Sequence, residues 1–418
     1  MNSKTRSSKF YSWIELDRAA FSHNIQELYT MRGPAKSLGL VVKANAYGHG
    51  LEQVAQCAEY EPLVTHLFVA SLEEALLVHQ LHTTKRIVVL VGVPGDLVSW
   101  AIKQSVEFVV YSFNFLQYLL DQATCLGFPV RVHIKLDTGL GRLGFVPSQV
   151  ARLIDILIQH KKYIILEGCM THYAQSGRAD ILGMQMQRSR FHSCLEQFSA
   201  SGLSFNLYHA AASGGYLYMA HGLENFARVG TFWTGCEAPS SGEKTIKSAD
   251  VQQENFARIG TSWTGLWKSQ EHKKAMLEQY PDCSFKPVLT WFARIMHIAM
   301  LPKGSAVGYQ GSFVTKRDSR IAVIPVGYSD GYPRSLSNTG KVCVDASGTL
   351  VPVVGLVSMN MLSIDVTNCP EVQVGDIVRV LGGVGRLSFT ECAESAGMIA
   401  LDMMTGISPL LPRVISER

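Results

Sequence analysis

The chain has 418 residues, 47% of them hydrophobic and 17% charged, with a net charge of +4. That length and apolar fraction supply one large core and a second domain, and a mild charge with no Lys/Arg stripe argues against a nucleic-acid partner. No apolar run approaches the roughly 18 residues of a membrane span, Met1–Phe10 lacks the apolar centre of a secretory signal, and nine cysteines without short paired spacing fit free thiols in a reducing cytosol better than disulfides or a zinc site.

In chain order, Trp13–Asp17 alternates like a strand, and Asp17 is placed to cap a helix from Arg18 toward Thr30. Apolar runs then alternate with helical patterns: Leu38–Val42, His66–Ala70, Arg86–Val91, Glu107–Tyr111, Val130–Leu136, Tyr163–Met170, Ser204–Tyr208 and Asn225–Val229. Several runs are continuously apolar, as strands buried on both faces require. Eight strand–helix units favour a (β/α)8 barrel over an open sheet. From Lys286 the helical texture stops. Short β runs punctuated by Gly and Pro follow: Val288–Ala299, Ser319–Pro325, Lys341–Val344, Leu350–Val357, Leu362–Val366 and Ile377–Leu381, with a helix around Thr390–Met398. These predict a C-terminal, mainly antiparallel β domain. The expected division is an N-terminal segment 1–12 associated with the β domain, a barrel over 13–280 and a β domain over 285–418.

One repeat interrupts the order. Glu224-Asn225-Phe226-Ala227-Arg228-Val229-Gly230-Thr231 recurs as Glu254-Asn255-Phe256-Ala257-Arg258-Ile259-Gly260-Thr261. Only one copy can be the eighth barrel strand. Spacing from Ser213 favours the first, with 236–265 as an extruded duplicate; spacing to the β domain favours the second. The reading adopted is the first copy.

Polar residues gather where the strands end. Lys43 follows the first barrel strand, Lys135, Asp137 and Arg142 the fifth, His172 the sixth, His209 and Ser213 the seventh, and Arg228, Gly230 and Thr231 the eighth. Barrel enzymes place their sites at that face, with phosphates near the last two strands. A strand-end lysine can be desolvated into a nucleophile toward carbonyls. Gly48 and Gly50 allow close approach to an anion, and Tyr47 is placed to reach a phosphate from the following helix. An amine beside a phosphate site describes a pyridoxal-phosphate pocket.

Val41-Val42-Lys43-Ala44-Asn45-Ala46-Tyr47-Gly48-His49-Gly50 closely resembles the cofactor-lysine motif of alanine racemases. The resemblance covers nearly the whole chain. It includes Trp13-x-Glu15-Leu16-Asp17, the segment Lys135–Gly144, Thr171-His172-Tyr173-Ala174, and Val326–Arg334 in the β domain. It implies pyridoxal 5'-phosphate as cofactor, a small amino-acid substrate, a cytoplasmic homodimer with shared active sites and a role in supplying D-alanine for peptidoglycan. By resemblance, Lys43 and the partner's Tyr309 are the two catalytic bases. Tyr47, Arg142, His172, Ser213, Arg228, Gly230, Thr231 and Tyr328 line the cofactor, with Arg228 facing its pyridine nitrogen. Arg142 and Met359 meet the substrate, and Lys135 is a carbamylation site beside Arg142. No metal is implied. Four positions depart from the family pattern: Ala212 for an asparagine, Leu356 for an arginine, Asn360 for an aspartate and Pro409 for a phosphate-binding tyrosine. They leave a broad-specificity racemase, or a catalytically impaired cofactor-binding paralogue, as alternatives.

Overall fold

Strand β1 (Ser12–Asp17) buries Trp13, Ile14 and Leu16, and Asp17 Oδ1 accepts the Ala20 N–H at 2.9 Å, capping helix α1 (Arg18–Met31) as the sequence predicts. The computed structural model describes residues 9–31, 37–174, 181–209, 256–259, 284–383 and 387–417. β1 does not belong with the barrel that follows it. It pairs antiparallel with β10 (Leu289–Arg294) and parallel with β19 (Arg413–Ser416). The expected boundary before Trp13 is therefore corrected to the β1–α1 junction. Trp13 stacks on Phe292 with ring centroids 5.6 Å apart, so its large apolar surface is buried in the β domain.

The barrel strands are β2 (Ser37–Val41), β3 (Val64–Val69), β4 (Arg86–Val89), β5 (Glu107–Val110), β6 (Val130–Lys135), β7 (Ile164–Met170), β8 (Leu207–His209) and β9 (Phe256–Ile259). They run parallel in the order β8-β7-β6-β5-β4-β3-β2-β9, and β8 approaches β9 within 8 Å, Cα to Cα, at the closure. The described connections are the left-handed turn α2 (Lys43–Tyr47) and the helices α3 (Leu51–Glu59), α4 (Leu72–Gln80), α5 (Leu97–Lys103), α6 (Phe113–Leu126), α7 (Val150–Gln159) and α8 (Ile181–Ala200). Local signals set several of their ends: Ser71 caps α4, Ser112 caps α6, and Gly127 at φ 70° terminates α6.

One strand of the parallel sheet comes from the second copy of the repeat. Phe256–Ile259, from the second copy of the repeat, pairs with Ser37–Leu40 of β2, with Arg258 opposite Gly39. The first copy, Asn225–Val229, lies outside the described residues. Both copies carry the same apolar and small residues, so either would satisfy the pairing pattern.

The β domain is a nine-stranded sheet, built on β1, β10 and β19 together with β11 (His297–Leu301), β14 (Ser319–Ile324), β15 (Lys341–Val344), β16 (Thr349–Val354), β17 (Leu362–Asp365) and β18 (Ile377–Gly382). Its order is β11-β14-β17-β16-β15-β18-β10-β1-β19, antiparallel except at β1–β19. The run Val288–Ala299 is two strands rather than one. Ile295 N–H bonds Asp376 O and Met296 N–H bonds Val323 O, so the chain changes partner there. A hairpin of β12 (Ala306–Val307) and β13 (Phe313–Val314) projects separately. Helix α9 (Phe389–Ala396), capped by Ser388, falls where expected, and α10 (Ala400–Thr405) follows. One apolar core runs from barrel to β domain. At the junction buried Asn24 clasps residue 286, donating to Lys286 O at 2.7 Å and accepting its N–H at 2.8 Å.

Candidate active site at the barrel mouth

Buried β2 delivers Lys43 to the C-terminal end of the barrel, where the residue is exposed. The next four residues turn the wrong way for L-amino acids. Ala44, Asn45, Ala46 and Tyr47 have φ of 54°, 53°, 52° and 53°, a left-handed turn that disfavours each by about 1–2 kcal/mol. Such strain persists only where the surroundings over-determine it, as at functional sites. Here Glu74 of α4 accepts Asn45 N–H at 3.2 Å and Ala70 N–H at 2.7 Å, while Asn45 Oδ1 accepts Leu51 N–H at 2.8 Å. From the β domain, Arg413 donates to Gly48 O through Nη2 at 2.9 Å and Nε at 3.3 Å. Tyr47 thus sits in this turn, almost wholly buried, and not in the following helix, which begins at Leu51.

Gly48 makes the clamp possible. At φ 81° a methyl there would meet Met404 O at 1.9 Å. Gly48→Ala is expected to cost at least about 2 kcal/mol, read from the denaturation midpoint, because it adds left-handed strain to a backbone clash. A midpoint unchanged from wild type would show that α10 is not pressed onto this turn.

Arg142 is held in place through its backbone. Asp137 Oδ1 accepts N–H groups from Gly139, Leu140 and Gly141 at 3.0, 2.9 and 3.1 Å, and Oδ2 accepts Arg142 N–H at 2.8 Å. Burial pushes the Asp137 carboxyl up, but these four bonds outweigh it and hold the group below its ordinary range. The stabilisation is present above the usual carboxylate pKa and is lost only as pH falls through the depressed value. Buried Lys135 closes the base of the loop, its carbonyl accepting Phe145 N–H at 2.8 Å. The exposed Arg142 side chain therefore rises from an ordered rim.

Gln187 of α8 ties this loop to the next strand end. Its amide donates to Thr138 Oγ1 at 3.3 Å and to His172 O at 3.4 Å, and accepts Ala174 N–H at 2.9 Å. Thr138 and Thr171 hydroxyls meet at 2.8 Å. Half-buried His172 and exposed Arg142 thus share one scaffold on adjacent strands, on the same barrel face as Lys43.

Tyr309, Tyr328 and Met359 form a separate surface on the β domain, 67%, 43% and 56% exposed. Tyr328 N–H bonds Ser358 O and Ser329 N–H bonds Met359 O, both at 3.0 Å. A methyl on Gly327 would meet Met359 O at 2.1 Å, so the two turns are in backbone contact. Tyr309 follows Gly308, which runs beside Leu356. Asn360 Nδ2 donates to Ser329 Oγ at 2.7 Å, leaving that hydroxyl to donate to Met359 O at 2.8 Å. A carboxylate at 360 would compete for the same hydroxyl hydrogen, so the amide suits this turn.

Ser213, Arg228, Gly230 and Thr231 lie outside the described residues. Sequence reasoning missed Glu74, Gln187 and Arg413. Each acts through backbone groups distant in sequence; Arg413 and Gly48 are 365 positions apart. Among the described residues no cluster of His, Cys, Asp or Glu is placed to hold a metal. The donor set instead suits an anionic aldehyde: an exposed strand-end amine, with a guanidinium and an imidazole on the same rim.

Residues 16–238 match the family model described as alanine racemase, N-terminal domain, and residues 288–415 the one described as alanine racemase, C-terminal domain. The alanine racemase of Syntrophobacter fumaroxidans is 33% identical over 403 residues, 95% of each chain. That of Methanococcus maripaludis is 30% identical, over 96% of this chain and 98% of the relative. Among solved structures, alanine racemase from Bacillus anthracis with bound L-Ala-P aligns with TM-score 0.77 at 26% identity, covering 98% of this chain and 95% of that one. The alanine racemase of Streptomyces lavendulae has the same fold, with TM-score 0.81 at 24% identity and 98% of both chains covered. The N-terminal family match ends at residue 238 and so takes in the first repeat copy. Two near-identical copies cannot be told apart by residue pattern, whereas the β2–β9 ladder distinguishes them.

Proposed function

The chain belongs to the alanine racemase family, and we propose that it is a pyridoxal-phosphate-dependent enzyme interconverting L- and D-alanine by a two-base mechanism, supplying D-alanine for peptidoglycan in the cytoplasm. The observation that carries this reading is Lys43, exposed at the barrel mouth on a strained turn clamped by both domains. Among the described residues no helix is long and apolar enough to cross a membrane.

When bound, the cofactor supplies the electron sink that acidifies the Cα–H of the amino acid. The Lys43 amine anchors it and afterwards holds the proton on one face. The phenol oxygen of Tyr309 of the partner subunit serves the other face, because racemisation removes a proton from one side and returns it on the opposite side. A phenol with an ordinary pKa of about 10 needs neighbouring cations to work near neutrality. Arg142 would hold the cofactor and meet the substrate, and Lys135, if carbamylated, would fix its position. His172 would help hold the cofactor, Tyr328 would gate the entrance, and Met359 of the partner subunit would meet the substrate carboxylate. Tyr47, Ser213 and the Gly-Thr pair after the eighth strand take the phosphate. A guanidinium keeps its proton, so an arginine at the ring nitrogen leaves that nitrogen unprotonated and favours proton return over transamination. Participation of Phe256–Ile259 in the barrel ladder supports Arg258 in that role in place of Arg228.

Purified protein is expected to show the visible band of a lysine-bound cofactor and to racemise alanine faster than other amino acids. Faster turnover of lysine or arginine would overturn the alanine assignment and favour the broader specificity suggested by Leu356 and Asn360.

Exposure of Tyr309, Tyr328 and Met359 on one chain supports a homodimer with shared sites. Mixing the inactive variants Lys43→Ala and Tyr309→Ala should then restore racemisation. Half of the sites in each hybrid are intact, so recovery reaches roughly a quarter of wild-type activity after random re-pairing. No recovery from a mixture shown to contain hybrids would place Tyr309 in the site of its own chain.

A further inference from the structure

Arg413 stands against the lysine turn because its own strand is fixed elsewhere. It opens β19, opposite Ile14 of β1, and Ile14 N–H bonds Pro412 O at 2.8 Å. The stem crosses the place where residue 50 would carry a side chain: a methyl on Gly50 would meet Arg413 Cδ at 2.4 Å. The guanidinium then divides between two segments. Nη2 and Nε donate to Gly48 O at 2.9 and 3.3 Å, while Nη1 donates to Leu411 O, Ser408 O and Pro409 O at 2.8, 3.1 and 3.2 Å. All these acceptors are main-chain carbonyls, one in the lysine turn and three in the segment that leads into β19. Burial pushes Arg413 down to about 10, so it stays charged near neutrality. Burial also pushes His49 down to about 4, and the Arg413 charge adds to that fall, so the imidazole in the turn is neutral there.

The bonds run on toward Lys43. Gly48 N–H bonds Ala44 O at 3.1 Å, and Ala44 directly follows Lys43. Gly50 N–H bonds Asn45 O at 2.9 Å, and Ala46 N–H bonds Val42 O at 2.8 Å. Ala44, Asn45, Ala46 and Tyr47 are all left-handed, so the turn has easier conformations to relax into once a restraint is removed. Glu74 restrains it from the barrel side and would still keep it against α4. Arg413 restrains it from the β domain. Without that fork Gly48 is freed, and Ala44 with it. A group misplaced by about 1 Å can cost about 10²-fold in rate, so a turn that stays folded can still misdirect its amine.

We propose that Arg413 is a positioning residue for Lys43: its fork fixes Gly48 O, and through Gly48 and Ala44 the direction in which the amine leaves β2. A point charge would not do the same, because the planar fork holds the two segments in fixed relative directions. The activity arm of this inference rests on the racemase reading; the exchange arm does not.

The test uses the full-length protein saturated with cofactor. In Arg413→Gln, hydrogen exchange of the amides at 44–50 should quicken roughly tenfold, and kcat should fall roughly tenfold or more at a KM within about twofold of wild type, because bonds to a charged group are lost and substrate contacts are not. Arg413→Lys keeps the charge without the fork and should show the same losses; it remains informative if Arg413→Gln fails to fold. Hybrid dimers separate positioning from general loosening. Ser408 N–H bonds Asp330 O at 3.0 Å, close to Tyr328, so a loosened segment would disturb the tyrosine surface as well. In hybrids of Lys43→Ala and Tyr309→Ala chains, Arg413→Gln should lower activity roughly tenfold on the chain that supplies Lys43, and leave it within about twofold on the chain that supplies Tyr309. Equal loss in both placements, full activity in Arg413→Lys, or unchanged exchange at 44–50 in a folded variant overturns the proposal. If the hybrid without an Arg413 change is inactive, the shared-site reading fails, and exchange and kcat in the uniform variants decide the role of Arg413. Quickened exchange at 44–50 in a protein that does not racemise alanine would support the brace and count against the racemase reading.

Discussion

Lys43→Ala is expected to remove the visible band of the lysine-bound cofactor and to lower racemisation by at least roughly 10⁴-fold, since one residue is both anchor and base. The fold should survive. Lys43 is exposed, and Glu74, Asn45 and Arg413 hold the left-handed turn after it. Stability should therefore stay within about 1 kcal/mol of wild type. A spectrum and a thermal melt on the same sample separate the two effects. A band that persists in the variant would exclude Lys43 as the anchor. A collapsed melt would mean that the amine is structural, and its chemistry would need another test.

Arg258→Ala should lower kcat by roughly 10²-fold or more, because it removes the fixed positive charge proposed for the ring nitrogen. Arg228→Ala, the same change in the other copy, should leave kcat within about twofold. The pair isolates the consequence of the β2–β9 pairing, because the flanking residues of the two copies are nearly identical. The reverse outcome would return Arg228 to the barrel and place the second copy outside it. Deleting residues 236–265 joins Gly235 to Leu266 and leaves a single uninterrupted copy. That variant should fold and retain activity, since the remaining copy has the same strand residues to offer β2. Insoluble product would show that the duplicated segment has become part of the fold.

Much of the barrel was legible because its strands are buried on both faces. Val130–Lys135 alternates apolar with polar residues and Ile164–Met170 is mostly apolar, and each was found within one residue of its expected start. The β domain was legible in its Gly and Pro punctuation, and the split of Val288–Ala299 was not. A change of hydrogen-bond partner at Ile295–Met296 leaves no break in hydrophobicity. β1 looked like a strand and was one, but pattern alone could not say which sheet would receive it.

At the candidate site, the residues themselves were visible and their support was not. Lys43, Arg142 and His172 stand where apolar runs end, which a linear reading can find. The left-handed turn depends on Gly48 meeting Met404 and Arg413 from the far end of the chain.

By itself the sequence determined the kinds of element, their order and the residue delivered at each strand end. Those follow from local periodicity and from the change between apolar and polar side chains. The tertiary structure decided which repeat copy entered the barrel, which domain received β1 and how the lysine turn is held. Equal local preferences leave such choices open, and they are resolved only when distant segments compete for one set of backbone hydrogen bonds and one packed surface.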